Sequence, residues 1–205
     1  MGIGCLALSF CLISGVLQIL EVILNALVLI CVASSYFVLS GFSAGITSGG
    51  GGFGNSYPFE GQELQEVRQL DQQFTMLRAP LLYGGLALSL LLGSLTIGVL
   101  AAGAKHLLNL SVSWLLTEAI FSILASLSYG AGVGVFLHFA LKFNDTDICK
   151  RRERIYRRNG LTWMNCDLAG TDGGAATFGI LLIILYGVSV VLAARAYRNK
   201  KLMEG

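Results

Sequence analysis

Leu12 to Leu39 reads LISGVLQILEVILNALVLICVASSYFVL, and how this stretch is read decides the fold. It is apolar almost throughout and longer than the roughly 20 helical residues that cross a hydrocarbon core of about 30 Å. A cleaved secretory leader is the competing reading. No Lys or Arg precedes the run, however, and it exceeds the roughly 7 to 15 apolar residues of a leader, so a retained span is expected. The start MGIGCL lacks the Ser or Thr that a myristoylation signal places at its sixth position, and Cys5 and Cys11 are expected to be buried free thiols, with palmitoylation the alternative.

Three further stretches pass the same length test: about 80–102, 112–141 and 175–196. Of the 205 residues 55% are hydrophobic and only 13% charged, so the chain is an integral membrane protein rather than a soluble one. The apolar runs are continuous rather than alternating, which excludes a closed barrel of strands. The expectation is an all-α membrane protein: a single domain over 1–205, built as a bundle of four transmembrane helices. A formal net charge of +2 argues for no partner by itself, and nucleic acid is not expected as one.

Four spans place two large loops, about 40–79 and 142–174, on one side of the membrane. The other side takes a short turn and both termini. The first loop opens with GFSAGITSGGGGFGNSYPFEG, costly to order because of its glycines. It continues with Leu64, Val67, Leu70, Phe74 and Leu77 at three- and four-residue steps, which predicts an amphipathic helix lying on the membrane or on the other loop. Pro80 is then expected in the first turn of span two, and Asp172-Gly173 as a turn before span four.

The sequence carries conflicting signals about which side faces out. The two-loop side holds Arg68, Arg78, Lys142, Lys150, Arg151, Arg152, Arg154, Arg157 and Arg158, against Lys105, Arg195, Arg198, Lys200 and Lys201 opposite, and the positive-inside rule would put the richer side in the cytosol. Cys149 and Cys166 argue the other way. They bracket the basic tract, and a disulfide between them persists only in an oxidising compartment; two free thiols are the alternative. Asn144-Asp-Thr146 is an N-glycosylation pattern that needs the same outer side, whereas Asn109-Leu-Ser111 falls in the short turn and would go unused.

The blocks EVRQLDQQFTMLRAPLLYGG and GLTWMNCDLAGTDGGAATFG, set in a four-span frame with unequal loops, resemble the MARVEL-domain family and within it the tight-junction branch of occludin and tricellulin relatives. That resemblance implies extracellular placement of both loops, cytosolic N- and C-termini, and location in the plasma membrane at cell–cell tight junctions. It also implies a non-enzymatic, organising role in the paracellular barrier through lateral and loop-mediated contacts. The implied partners are membrane lipids, other tight-junction membrane proteins and a second copy of the chain. The ends, including the tail YRNKKLMEG, are shorter than that branch's polar extensions, so scaffold binding through a tail is not carried over. A vesicle-trafficking tetraspan of the synaptophysin-like type is the nearest alternative, and a small channel or transporter the next.

Several residues invite a specific role. Gln18, Glu21 and Asn25 share one face of span one, and Glu118 lies at similar depth in span three. Intramembrane carboxylates mark proton or ion paths in some proteins. With no second polar face to continue a path, a hydrogen-bonded seam between helices is the expectation here. Ser89, Gly93, Ser94 and Gly98 on span two, and Ser126, Gly130 and Gly134 on span three, are small residues suited to close helix packing, within the bundle or against another copy. Lys150, Arg151, Arg152, Arg154, Arg157 and Arg158 read either as an outward basic surface that meets acidic neighbours such as Glu60, Glu63, Glu66 and Asp71 of the first loop, or as a solvated charge run whose pairs are each worth under about 1 kcal/mol. Trp114 reads as an interfacial anchor, and Trp163 as an interfacial or a loop-core one. His106 and His138 lie on opposite sides of the bilayer, and GGGGFG lacks the lysine of a phosphate loop. No catalytic site, metal, cofactor or small-molecule substrate is therefore expected.

Overall fold

A computed structural model describes residues 2–47, 59, 61–105, 112–162 and 165–204. The glycine-rich start of the first loop, Glu60, His106, Asn109 and Trp163 lie outside these, and the side chains of Cys5 and Cys11 are not described. In chain order the elements are α1 (Gly2–Thr47), α2 (Gly61–Lys105), α3 (Val112–Asn144), α4 (Asp147–Arg158) and α5 (Gly170–Glu204), with no strand among the described residues. Four of them, over Ile13–Leu39, Gly61–Gly103, Ser113–Asn144 and Gly170–Asn199, are long and apolar enough to cross a membrane. The protein is an all-α, four-span membrane protein.

The helices run beyond the expected spans. At 1.5 Å per residue the 46 residues of α1 extend about 70 Å, more than twice a hydrocarbon core of about 30 Å. In α2 the amphipathic segment is not a separate element: it is continuous with span two, and Pro80 lies inside the helix instead of opening it. Proline removes one backbone donor and crowds the preceding turn, which membrane-protein helices tolerate where neighbouring groups hold the segment. Here Val67, Leu70 and Phe74 are packed before Pro80, Arg78 is tied to Asp172, and Leu82 is fully buried after it. The expected Asp172-Gly173 turn is likewise the first turn of α5, where a carboxylate is favoured by the helix dipole.

The helix α4 replaces what reads as a charged loop. Thr146, in extended conformation, caps it by accepting the Cys149 amide, and Asp147 stands in the first turn. Its end is a Schellman arrangement: Gly160 donates to the Arg157 carbonyl and Leu161 to the Tyr156 carbonyl, with Gly160 at φ +79°. Arg157 and Arg158 occupy the last turn, where positive charge suits the dipole.

The chain divides into two compact units, one of Met1–Leu29, Ala87–Val133 and Ala175–Gly205, the other of Ile30–Leu86 and Gly134–Gly174. The first is inside-out by soluble standards. Ile19 and Ile23 are 50% exposed, while Gln18, Glu21 and Asn25 are 8%, 2% and 3% exposed. Lipid is as apolar as leucine, so helices here gain little by hiding apolar side chains and more by matching polar ones. The second unit has a water-type core in which Phe59, Val67, Leu70, Ile155 and Tyr156 cluster, flanked by Leu64, Ile148 and Leu161. The amphipathic face of the first loop thus packs on the second loop.

Candidate functional site

In the second unit the two loops form one head around a buried carboxylate. Asp71, one step round α2 from the apolar stripe, is 3% exposed and accepts from Tyr156 Oη at 2.6 Å and from Arg152 Nε. The Arg152 guanidinium also lies 5.0 Å from the Phe74 ring centroid and 5.3 Å from that of Tyr156. Both partners of the pair are nearly dry, so each charge depends on the other. Arg78 and Asp172 form a second buried pair that ties α2 to the start of α5, and Ser35 Oγ donates to Asp172 at 2.9 Å. Cys149 and Cys166 are joined in a disulfide, Cα atoms 6.0 Å apart, which fastens α4 to the segment leading into α5.

This geometry divides the expected basic surface. Arg152 is not on it, since it is 9% exposed and committed to Asp71. The spacing explains this: Cys149, Arg152, Ile155 and Tyr156 make up the buried face of α4. The remaining cations are outward. Arg151 meets Glu66 at 2.6 Å, Lys150 meets Asp145 at 2.6 Å and Arg157 meets the half-buried Glu153 at 2.9 Å, each with an exposed cation, where such pairs contribute little. Arg154 donates to the Lys150 carbonyl, and Arg158 is exposed. The hydrogen bond from Lys150, reinforced by its charge, holds the Asp145 carboxyl below its ordinary value, and Lys150 is raised in turn.

Asn144 does not fit its expected role as a glycan acceptor. It is 6% exposed at the end of α3, and its Nδ2, the atom a glycan would occupy, donates to the Asp167 carbonyl at 3.1 Å. A sequon records residue types only. Here the amide serves as a clamp between α3 and the approach to α5.

In the first unit the polar residues meet across helices. Glu118 accepts from Gln18 Nε2 at 2.6 Å and from Ser14 Oγ at 3.0 Å. Glu21 accepts from Ser189 Oγ at 2.6 Å. Asn25 receives the Tyr129 hydroxyl and donates to Tyr186 Oη at 3.0 Å, and Tyr186 continues to Thr96 Oγ1 at 2.7 Å. Glu21 and Glu118 are thus placed in separate clusters, each linking α1 to another helix. Thr96, Tyr129, Tyr186 and Ser189 escape a reading based on charge alone. Their signal is that each is a hydroxyl on an otherwise apolar span.

The small residues separate in the same way. Ser89 is buried, a Cβ on Gly93 would stand 3.5 Å from Asn25 Cβ, and Ser126 Oγ donates to the Ile183 carbonyl at 3.3 Å. Ser94, Gly98, Gly130 and Gly134 are exposed, with open space around all three glycines. The tightest positions are others: a Cβ would come within 2.5 Å of Leu88 at Gly132 and of Val133 at Gly179.

No family model matches the chain, and no solved structure matches it. A curated mouse protein, MARVEL domain-containing protein 3, is 35% identical over 193 residues, which cover 91% of this chain and 51% of that protein. The chain therefore spans about half the length of the relative it matches.

Proposed function

The chain belongs to the MARVEL-domain family, and from that premise we propose that it is a non-enzymatic organiser of cell–cell contacts, working at tight junctions of the plasma membrane with its loops outside and its termini in the cytosol. The observation that carries this reading is the head: two loops on one side of four spans, closed by a disulfide and two buried ion pairs, with a row of cations left on its surface. An oxidising compartment keeps such a bond, and a rigid, charged, disulfide-closed surface suits recognition between cells. The polar residues within the membrane support the same reading. They are consumed in pairing helices with one another, as a bundle that acts by binding requires. Other junctional membrane proteins, a second copy and the surrounding lipids are the partners in this proposal.

Two measurements test it. A membrane-impermeant thiol reagent applied to intact cells should label Cys149 and Cys166 only after reduction, and labelling that needs permeabilisation instead would place the head in the cytosol. A tagged chain in an epithelial monolayer should then collect at contacts, and should lose that position when Arg151, Arg154, Arg157 and Arg158 are together changed to Gln. Accumulation on cycling vesicles would favour the trafficking alternative.

A further inference from the structure

Charge is shared unevenly between the two sides of the membrane. On the side of the two loops, the nine Lys and Arg named above are matched by four Asp and Glu in the first loop and five in the second, and five of the nine cations are held in ion pairs. On the side of the termini, Lys105, Arg195, Arg198, Lys200 and Lys201 face Glu204 alone. The excess positive charge of the molecule therefore collects at the far end of α5. Arg195, Arg198 and Lys201 are exposed there, with no ion pair among the described residues.

The helical register says what lies against these cations. Ile184, Val188 and Val191 are 56%, 41% and 50% exposed, and at steps of four and three residues they form one apolar stripe along α5. Arg195 and Arg198 continue that stripe at the next two steps, where the apolar span ends, and Lys201 follows three residues on. The helix runs on to Glu204, so the cations are carried on ordered backbone. At 1.5 Å per residue the rise from Arg195 to Lys201 is about 9 Å, enough to cross the roughly 5–8 Å of headgroups outside a hydrocarbon core.

A soluble acidic partner would use the cations and leave the stripe idle. A phospholipid uses both, because its acyl chains need an apolar wall and its phosphate needs a cation directly beyond that wall. With one acid in sequence against five cations on this side, a headgroup of net negative charge is favoured over a zwitterion. We propose that Arg195, Arg198 and Lys201 bind the headgroup of an anionic phospholipid of the cytosolic leaflet, its acyl chains running along Ile184, Val188 and Val191. The leaflet rests on the placement of the termini proposed above. The contact between cations and anionic lipid does not.

The test reconstitutes the full chain in phosphatidylcholine bilayers and compares spin-labelled phosphatidylserine with spin-labelled phosphatidylcholine by the fraction of each label immobilised at the protein. One basic residue beside anionic lipid is worth a factor of about five, so phosphatidylserine should be favoured at least about fivefold at low salt. Changing Arg195, Arg198 and Lys201 together to Gln should bring the two lipids within about twofold, whereas the charge-keeping set Arg195→Lys, Arg198→Lys and Lys201→Arg should leave the preference in place. Raising the salt from about 0.05 to about 0.5 M should weaken it in the wild type by screening, and that measurement decides alone if the Gln variant does not reconstitute. Equal retention of the two lipids by the wild type overturns the proposal, as does a preference that survives the Gln variant or is untouched by salt. Both leaflets of these bilayers carry the label, so the result does not depend on orientation. If thiol labelling places the head in the cytosol while the preference stands, the leaflet assignment alone is refuted.

Discussion

Changing Asp71 to Asn tests whether the buried carboxylate holds the head together. The substitution keeps the shape and one oxygen for Tyr156, but it takes the Asp71 charge away from the Arg152 guanidinium, whose side chain is 10% exposed. Breaking a buried pair by removing one member costs about 3–5 kcal/mol. At about 1.4 kcal/mol per factor of ten, local opening of α4 should become roughly 150- to 4000-fold more frequent. Hydrogen exchange of the Ile155 and Tyr156 amides, with the disulfide intact, reads that opening directly. The triple change Asp71→Leu, Arg152→Met and Tyr156→Phe removes every polar member at once and should return exchange to within about tenfold of wild type, since apolar replacements of buried pairs are often neutral. Glu66→Gln breaks only the exposed pair with Arg151, worth under about 1 kcal/mol, and should hardly register. The reasoning fails if Asp71→Asn leaves protection within about threefold of wild type, or if the triple variant is as open as the single one.

Four other outcomes follow from the same geometry. Replacing Cys149 and Cys166 by Ser should release about 3 kcal/mol of chain-entropy stabilisation, making trypsin cleavage at Arg157 and Arg158 markedly faster; peptide mapping that finds equal rates would contradict it. Gly179→Ala, whose Cβ would meet the stiff Val133 side chain at 2.5 Å, should destabilise by about 1–3 kcal/mol. Gly130→Ala enters open space and should be neutral or gain up to about 1 kcal/mol, so equal melting shifts in detergent would show that the packing assignment is wrong. Asn25→Leu removes hydrogen bonds to Tyr129 and Tyr186 and should lower resistance to denaturing detergent by about 1–3 kcal/mol, whereas Glu21→Gln keeps an acceptor for Ser189 and should change little; a transport current lost in Glu21→Gln would instead reveal a conduction role. The Asp145 carboxyl is held low by Lys150, so its contribution is present above the ordinary carboxylate range and lost as pH falls through its lowered value. An NMR titration should find that midpoint higher in Lys150→Gln, and both residues are exposed enough for salt to narrow the difference.

The spans were legible because apolar runs of that length admit one reading, and the apolar stripe Leu64, Val67, Leu70 and Phe74 announced a helix needing a cover. Its cover was hidden by charge. The stretch DICKRRERIYRR looks like a solvated tract until Arg152 is recognised as an inward residue, and nothing in its own neighbourhood says that Asp71, 81 positions earlier, is its partner. Local rules misled in three places. Pro80 reads as a helix start, Asp172-Gly173 as a turn and Asn144 as a glycan acceptor, yet each is overridden by a distant contact that a pattern of neighbours does not contain. The intramembrane seam was half visible: carboxylates and amides stand out in a span, whereas the hydroxyls of Tyr129, Tyr186, Thr96 and Ser189 blend with residues that also serve as plain packing.

The pair of Arg78 and Asp172 gains meaning when the head is considered in order of synthesis. The disulfide partners, Cys149 and Cys166, both precede the last span in the chain, so that clasp does not use the fourth helix. Asp71 and Arg152 also meet without it. Asp172 is the latecomer: it opens α5, and it reaches Arg78 only when the fourth helix takes its place. A chain stalled at three spans therefore displays an orphaned arginine beside an otherwise closed head, a mark of incompleteness that disappears when the last helix is seated.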